Sequence, residues 1–284
     1  MRFVLLLAAL LSGAVPAAAD TRLKVVATFS ILADFAREVG GDRVDLVTLV
    51  GPDADAHTYQ PKPTDARTLA KAQVLVSNGL GFEGWIDRLA EAAGFKGRWV
   101  VASAGATPDA DPHCWQDVGC ARRYVANIAS GLAAADPTNA DGYRARAAQY
   151  DQRLAALDAW IRREIETIPL ERRQAITGHA SFRYFSRAYA VRFDAPRGYS
   201  TESEPTARDV ASLIRQVREQ KTRALFIENM TNPALVAEIA RDSGGVVGPR
   251  LYSDALSRPD GPASTYEAMM RHNVSALVEG MKKN

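Results

Sequence analysis

Residues Asp141 to Ile168 read DGYRARAAQYDQRLAALDAWIRREIETI. After Gly142 the stretch contains no helix breaker, and Tyr150, Leu154, Leu157 and Ile161 recur at spacings of four, three and four. This is the apolar stripe of one long amphipathic helix. Pro169 closes it, and about 26 residues at a rise of roughly 1.5 Å each span roughly 40 Å.

On the N-terminal side of this helix, apolar runs suited to strands (Leu23 to Thr28, Val44 to Val50, Val74 to Asn78, Trp99 to Ala102) alternate with helical patterns (Leu32 to Val39, Thr64 to Ala72, Phe82 to Ala93). A second such set follows. Gln174 to Thr177, Ala224 to Ile227 and Val246 to Val247 read as strands, with helices near Phe182 to Ala190, Ala207 to Gln220, Pro233 to Ser243 and Thr265 to Met281. Alternation of this kind predicts parallel, helix-covered sheets. The fold class expected is therefore α/β: two lobes with parallel-rich sheets, residues 20–138 and 170–284, joined by one long rigid helix over 139–169. A stiff connection predicts small relative motion of the lobes.

At the N-terminus Arg2 precedes an apolar run from Phe3 to Leu11, and Ala17-Ala18-Ala19 precede Asp20. That is the layout of a cleavable signal peptide over residues 1–19; the run is shorter than the roughly 20 residues of a spanning helix. The expected mature chain is exported to a periplasm, and with no Cys near the cleavage point it is expected to lack a lipid anchor. It has ample length for two cores. With 35 Lys and Arg against 33 Asp and Glu, and no basic block, nucleic acid is excluded as an expected partner. Cys114 and Cys120 are the only cysteines. In an oxidising compartment an even count favours a disulfide. Two residues six apart on one helix would sit about 9 Å from each other, so a bridge requires Cys114 to lie on the loop before the helix.

The chain has four histidines, His57, His113, His179 and His272. His57, in Asp55-Ala-His-Thr-Tyr-Gln-Pro-Lys-Pro63, lies after one strand and before a helix, on a segment stiffened by prolines. His113 follows Asp111-Pro112 and precedes a helix starting near Asp117, and His179 follows the strand-like Ala175-Ile-Thr-Gly178. Ligands bind at this edge of open α/β sheets, and neutral imidazole is the commonest transition-metal ligand. Each histidine alone reads equally well as a hydrogen-bonded loop residue; their shared placement marks them as candidate ligands. His272, late in the last helix beside Met269, Met270 and Arg271, reads as structural or solvated.

The sequence resembles the zinc/manganese-type solute-binding proteins of bacterial ABC importers, the cluster A-I metal receptors. The resemblance covers essentially the whole mature chain. It is carried by His57-Thr-Tyr-Gln-Pro-Lys-Pro63, Asp111-Pro-His-Cys-Trp-Gln-Asp117, Asp136-Pro-Thr-Asn139 with Tyr143, Thr177-Gly-His-Ala-Ser-Phe-Arg-Tyr-Phe185, Ser200-Thr-Glu-Ser-Glu-Pro205, and Leu251-Tyr-Ser-Asp-Ala-Leu-Ser257 with Tyr266 to Met270 and Asn273. It implies two lobes joined by a long helix, with a metal site in the cleft between them. His57, His113 and His179 would give ring nitrogens and Asp254 a carboxylate. Asp254 has no signal of its own in composition or spacing.

A His at the third position leans toward Zn²⁺ as the transported ion, and three imidazoles with one carboxylate suit that borderline cation. Mn²⁺ is the alternative cargo, since the Irving–Williams order favours zinc at such sites whatever the biological ion. Glu202, Glu204 and Glu228 are candidates to bond the other imidazole nitrogens. The expected partner is the importer's inner-membrane permease, and a monomer is expected. Two departures stand out. The stretch Gly105 to Asp111 is short and lacks the His-rich loop of many zinc-type members, and Cys114, directly after a ligand, offers a thiolate. Adjacent residues on extended backbone face opposite ways, which favours a disulfide over ligation. No His-Glu-x-x-His element, Gly-x-Ser-x-Gly turn or phosphate-cradling glycine loop is present, so no enzyme is expected. Repeats that would suit an adhesin are also lacking. Ion release is expected through local movement of the His179 or Asp254 segments.

Overall fold

The computed structural model describes residues 22–284; the segment read as a signal peptide lies outside them. In the first lobe β1 (Leu23–Phe29), α1 (Ser30–Gly40), β2 (Val44–Val50), α2 (Pro63–Leu69), β3 (Val74–Ser77), α3 (Ile86–Ala92) and β4 (Arg98–Val101) follow in order. The helices α4 (Val118–Ala135) and α5 (Ala140–Glu166) come next. The second lobe holds β5 (Gln174–Ile176), α6 (Arg183–Tyr189), β6 (Arg192–Asp194), α7 (Ala207–Gln220), β7 (Ala224–Leu225), α8 (Ala234–Ser243), β8 (Val246–Val247) and α9 (Tyr266–Met281).

Among the described residues each lobe has one four-stranded sheet, ordered β2-β1-β3-β4 and β6-β5-β7-β8, with every pairing parallel. The two orders match, so each sheet reverses its winding between its first and third strands. β1 and β3 are buried almost throughout, because helices cover both faces. β6 escaped the sequence reading: Arg192-Phe-Asp194 has one apolar residue and lies at a sheet edge. β7 is also shorter than the Ala224 to Ile227 run suggested.

The long helix forms over 27 residues, and Tyr143, Ala147, Tyr150, Leu154, Leu157, Ile161 and Ile165 are its buried stripe. It packs on α1 and α4 from the first lobe and on α6 and α9 from the second. α4 approaches β4 closely at Gly131, where an added Cβ would collide with Val100 Cγ2. The main apolar core is continuous across the two lobes. Phe29, Phe35, Trp115 and Tyr124 belong to the same cluster as Phe185, Leu251, Tyr266 and Met270. Phe35 and Tyr266 meet edge-on at 4.8 Å between ring centroids. A shared core, in addition to the helix, resists wide separation of the lobes, since opening it would expose apolar surface at about 25 cal/mol per Å². A smaller cluster under α7 and α8, including Leu213, Leu225 and Ile239, belongs to the second lobe alone.

Candidate metal centre

The parallel sheets place every strand-to-helix loop at the same edge of its lobe, and those two edges face each other. His57 lies between β2 and α2, His113 between β4 and α4, His179 between β5 and α6, and Asp254 between β8 and α9. The structure brings these four buried side chains together, with one donor atom from each lying within 4.8 Å of the others. Nε2 of His57 is 3.3 Å from Nε2 of His113 and 3.5 Å from Asp254 Oδ2. Asp254 Oδ2 lies 3.0 Å from His179 Nε2, and Oδ1 lies 3.6 Å from His113 Nε2. A tetrahedron with bonds of about 2.0–2.1 Å to a central cation has edges of about 3.4 Å. The four separations just given lie within about 0.4 Å of that edge, so the four side chains converge on a volume of the size one transition-metal ion would occupy.

Their hydrogen bonding fits the same chemistry. Both carboxylate oxygens of Asp254 and both ring nitrogens of His179 are buried without a well-directed hydrogen bond, although Nε2 lies at ion-pair distance from Asp254 and Nδ1 from Glu228. Burying a carboxylate costs several kcal/mol, and a shared cation would add to the compensation that the neighbouring imidazoles supply. Electrostatics already couple the group. Burial opposes ionisation of Asp254, but His179 and His113 outweigh it and hold its pKa well below the usual carboxylate value. Burial likewise opposes charge on His179, yet Glu228 and Asp254 raise its pKa well above the ordinary imidazole value. His113 moves the same way, with Asp254 and Asp111 overcoming burial.

Local structure aims each ring. Asp111 Oδ1 accepts from the backbone N of His113 at 3.0 Å and lies 2.8 Å from its Nδ1. Asp55 Oδ1 accepts from the backbone N of His57 at 2.9 Å, which is the same Asp-x-His turn. His179 Nδ1 is 2.7 Å from Glu228 Oε2. The Asp254 segment is gripped from both sides. Asn273 clamps the backbone of Tyr252 at 2.9 and 2.7 Å, and the side chains of Trp115 and Gln116 both donate to the carbonyl of Ser253. Phe29, Phe82 and Trp115 pack together beneath His57 and His113.

Of the three glutamates singled out from sequence, Glu228 meets a histidine, Glu204 pairs with Arg197, and Glu202 is exposed. Asp111 was not singled out for this task. The repeated spacing Asp55-x-His57 and Asp111-x-His113 was the available signal. His272 lies apart, with Nε2 2.8 Å from the carbonyl of Arg250. Cys114 opens a short 3-10 turn ahead of α4 and is bridged to Cys120, Cα to Cα 5.6 Å. The placement on the preceding turn is the one a bridge needed, and the thiolate is thereby removed from the candidate ligands.

A profile of the family described as "Zinc-uptake complex component A periplasmic" matches residues 25–280. The "Manganese-binding lipoprotein MntA" of Bacillus subtilis is 33% identical over 281 residues, covering 93% of this chain and 91% of its own. The "Manganese ABC transporter substrate-binding lipoprotein PsaA" of Streptococcus anginosus is 29% identical, covering 99% of this chain and 96% of its own. Among solved structures, the periplasmic zinc binding protein TroA from Treponema pallidum superposes with a TM-score of 0.87 at 30% identity, covering 92% of this chain and 99% of that one.

Proposed function

Because the chain belongs to the cluster A-I family of metal-binding receptors of ABC importers, we propose that it carries Mn²⁺, with Zn²⁺ competing for the same four donors. It is a substrate-binding receptor rather than an enzyme, and it acts outside the cytoplasm with a membrane permease and its ATPase. What carries the assignment of the donors is the convergence of three imidazole nitrogens and one carboxylate at the seam of the lobes.

The choice of ion departs from the zinc expected on sequence. Relatives similar over nearly their whole length are named for manganese, while the family profile and TroA are described for zinc. Donor chemistry accommodates both. Each oxygen of Asp254 faces an imidazole, so a two-oxygen grip would raise the coordination number, which suits Mn²⁺. Zinc should still bind at least as tightly in vitro, by the Irving–Williams order. Delivery is therefore the informative measurement: uptake of labelled Mn²⁺ and Zn²⁺ in cells lacking the receptor, beside competitive titration of the stripped protein. Loss of manganese uptake alone is expected. Loss of zinc uptake with manganese unaffected would make zinc the cargo.

A free, monomeric receptor is part of the same proposal. The relatives are named lipoproteins, whereas both cysteines of this sequence are bridged to each other, which leaves neither thiol for acylation. Partitioning of the protein into the membrane fraction with an incorporated fatty acid would overturn this.

A further inference from the structure

The two Asp-x-His turns of the first lobe have the same backbone hydrogen bond but use their second carboxylate contacts differently. Asp111 turns back on its own histidine, contacting both the backbone N and Nδ1 of His113. Asp55 holds only the backbone N of His57. Its Oδ2 accepts instead from Thr201 Oγ1 of the second lobe, at 2.6 Å. Among the described residues no carboxylate meets His57 Nδ1.

Thr201 lies on the connection between β6 and α7, and that connection is tied to the His179 segment. The backbone N of Ala180 donates to the carbonyl of Gly198 at 3.1 Å, and His179 and Arg197 form a parallel bridge. A path of hydrogen bonds and intervening backbone thus runs from the His179 segment through residues 198–201 and Asp55 to His57, crossing from one lobe to the other. It crosses at the rim. His113, His179 and Asp254 have no exposure, while His57 retains 5%, and the Thr201 to Asp55 bond is itself only partly buried. Of the four donors His57 thus comes nearest to solvent, on the turn that this bond ties down.

We propose that Asp55 is a positioning residue that fastens His57 to Thr201 of the second lobe, and that this hydrogen bond is the latch closing the route by which the ion enters and leaves. It rests on the donor set proposed above. Breaking the latch requires no separation of the shared core, only displacement of the Thr201 connection from the His57 turn. The hydrogen bond of the Thr201 side chain goes to Asp55 rather than to one of the four donors, so the latch acts on rate and leaves the coordination of the bound ion intact. A hydroxyl bonded to a carboxylate is a charge-assisted bond, and its loss from the closed state should speed release about tenfold.

The test compares wild type with Thr201→Val, Thr201→Ser and His57→Ala, all as full mature chains. Zn²⁺ dissociation is followed by stopped-flow against a chelator, and Co²⁺ absorption reports the coordination sphere. Expected for Thr201→Val are release about tenfold faster, an unchanged Co²⁺ spectrum at saturation and a melting temperature without metal lower by no more than a few degrees, with Thr201→Ser restoring the wild-type rate. His57→Ala should weaken binding and alter the Co²⁺ spectrum. Wild-type release from Thr201→Val beside a weakened His57→Ala would overturn the latch and leave the donor set standing. A Co²⁺ spectrum for Thr201→Val matching that of His57→Ala would also overturn it, by placing Thr201 in support of the bound geometry. Wild-type affinity in His57→Ala would remove the site itself and the latch with it.

Discussion

Glu228 holds His179 by its ring and its backbone at once: Oε2 lies 2.7 Å from Nδ1, while Oε1 accepts from the backbone N of Gly178 at 2.8 Å and of His179 at 3.1 Å. Both residues are fully buried at the end of their strands. The carboxylate thereby directs Nε2 toward Asp254 and raises the basicity of the ring. Glu228→Gln keeps the size and loses the charge, and it is expected to weaken Zn²⁺ and Mn²⁺ binding by about 10–100-fold in competition titrations. Wild-type affinity in that variant would show that packing alone aims His179.

The pH dependence of binding follows from the same charges. His113 and His179 both have pKa values raised above the ordinary imidazole value, so in the metal-free protein their protons compete with the ion at pH values above 6.5. For groups raised on folding, the stabilisation of the metal-free state is complete below the unfolded value and is lost as pH rises through the folded one. The metal-loaded state requires neutral rings and gains in the opposite direction. The rise in melting temperature caused by Zn²⁺ should therefore grow continuously from pH 5 to pH 8. A metal-induced shift that is flat over this range would contradict a site built on His113 and His179.

Asp34 offers a test of stability away from the metal. Burial pushes its carboxyl up to about 6 from 3.8, against the lowering effect of the Tyr266 backbone N–H that donates to it at 2.8 Å. A raised acid stabilises the fold fully below its unfolded value, and that contribution is lost as pH rises through about 6. Asp34→Asn retains an acceptor for Tyr266 and never ionises. It should be more stable than wild type at pH 7.5, by at most about 3 kcal/mol, with the difference vanishing near pH 4. Thermal melts at the two pH values measure this, and equal stability at pH 7.5 would refute it.

The Cys114 to Cys120 bridge closes a loop with a sequence separation of 6 directly after His113. Chain entropy assigns so short a loop about 2 kcal/mol, and a double Cys→Ala variant should melt a few degrees lower. Asp111 is expected to keep its hold on the backbone N and ring Nδ1 of His113 in that variant, so metal affinity is expected to fall by less than about tenfold. Abolished binding would mean that the bridge, rather than Asp111, aims the ring.

Much of this architecture was legible from neighbouring residues. The stripe of Tyr150, Leu154, Leu157 and Ile161 marked the long helix, and the strand-to-helix positions of His57, His113 and His179 marked one edge of each sheet. β6 was not legible, since Arg192-Phe-Asp194 owes its extended form to pairing with β5 rather than to any pattern of its own. Asp254 was reached only through family resemblance. Its position depends on Asn273, Trp115 and Gln116, which are remote from it in sequence and hold its backbone in place.

The sequence by itself determined the periodic elements, the alternation that makes parallel sheets, and the short turns that present His57 and His113, because each depends on contacts within a few residues. Tertiary structure alone decided that Glu228 rather than Glu202 or Glu204 serves His179, that the core runs unbroken between the lobes, and that Asp55 reaches Thr201. Those outcomes depend on which loops the two sheets bring to a common seam. Residues far apart in the chain meet there through packing, and no local period encodes their distance.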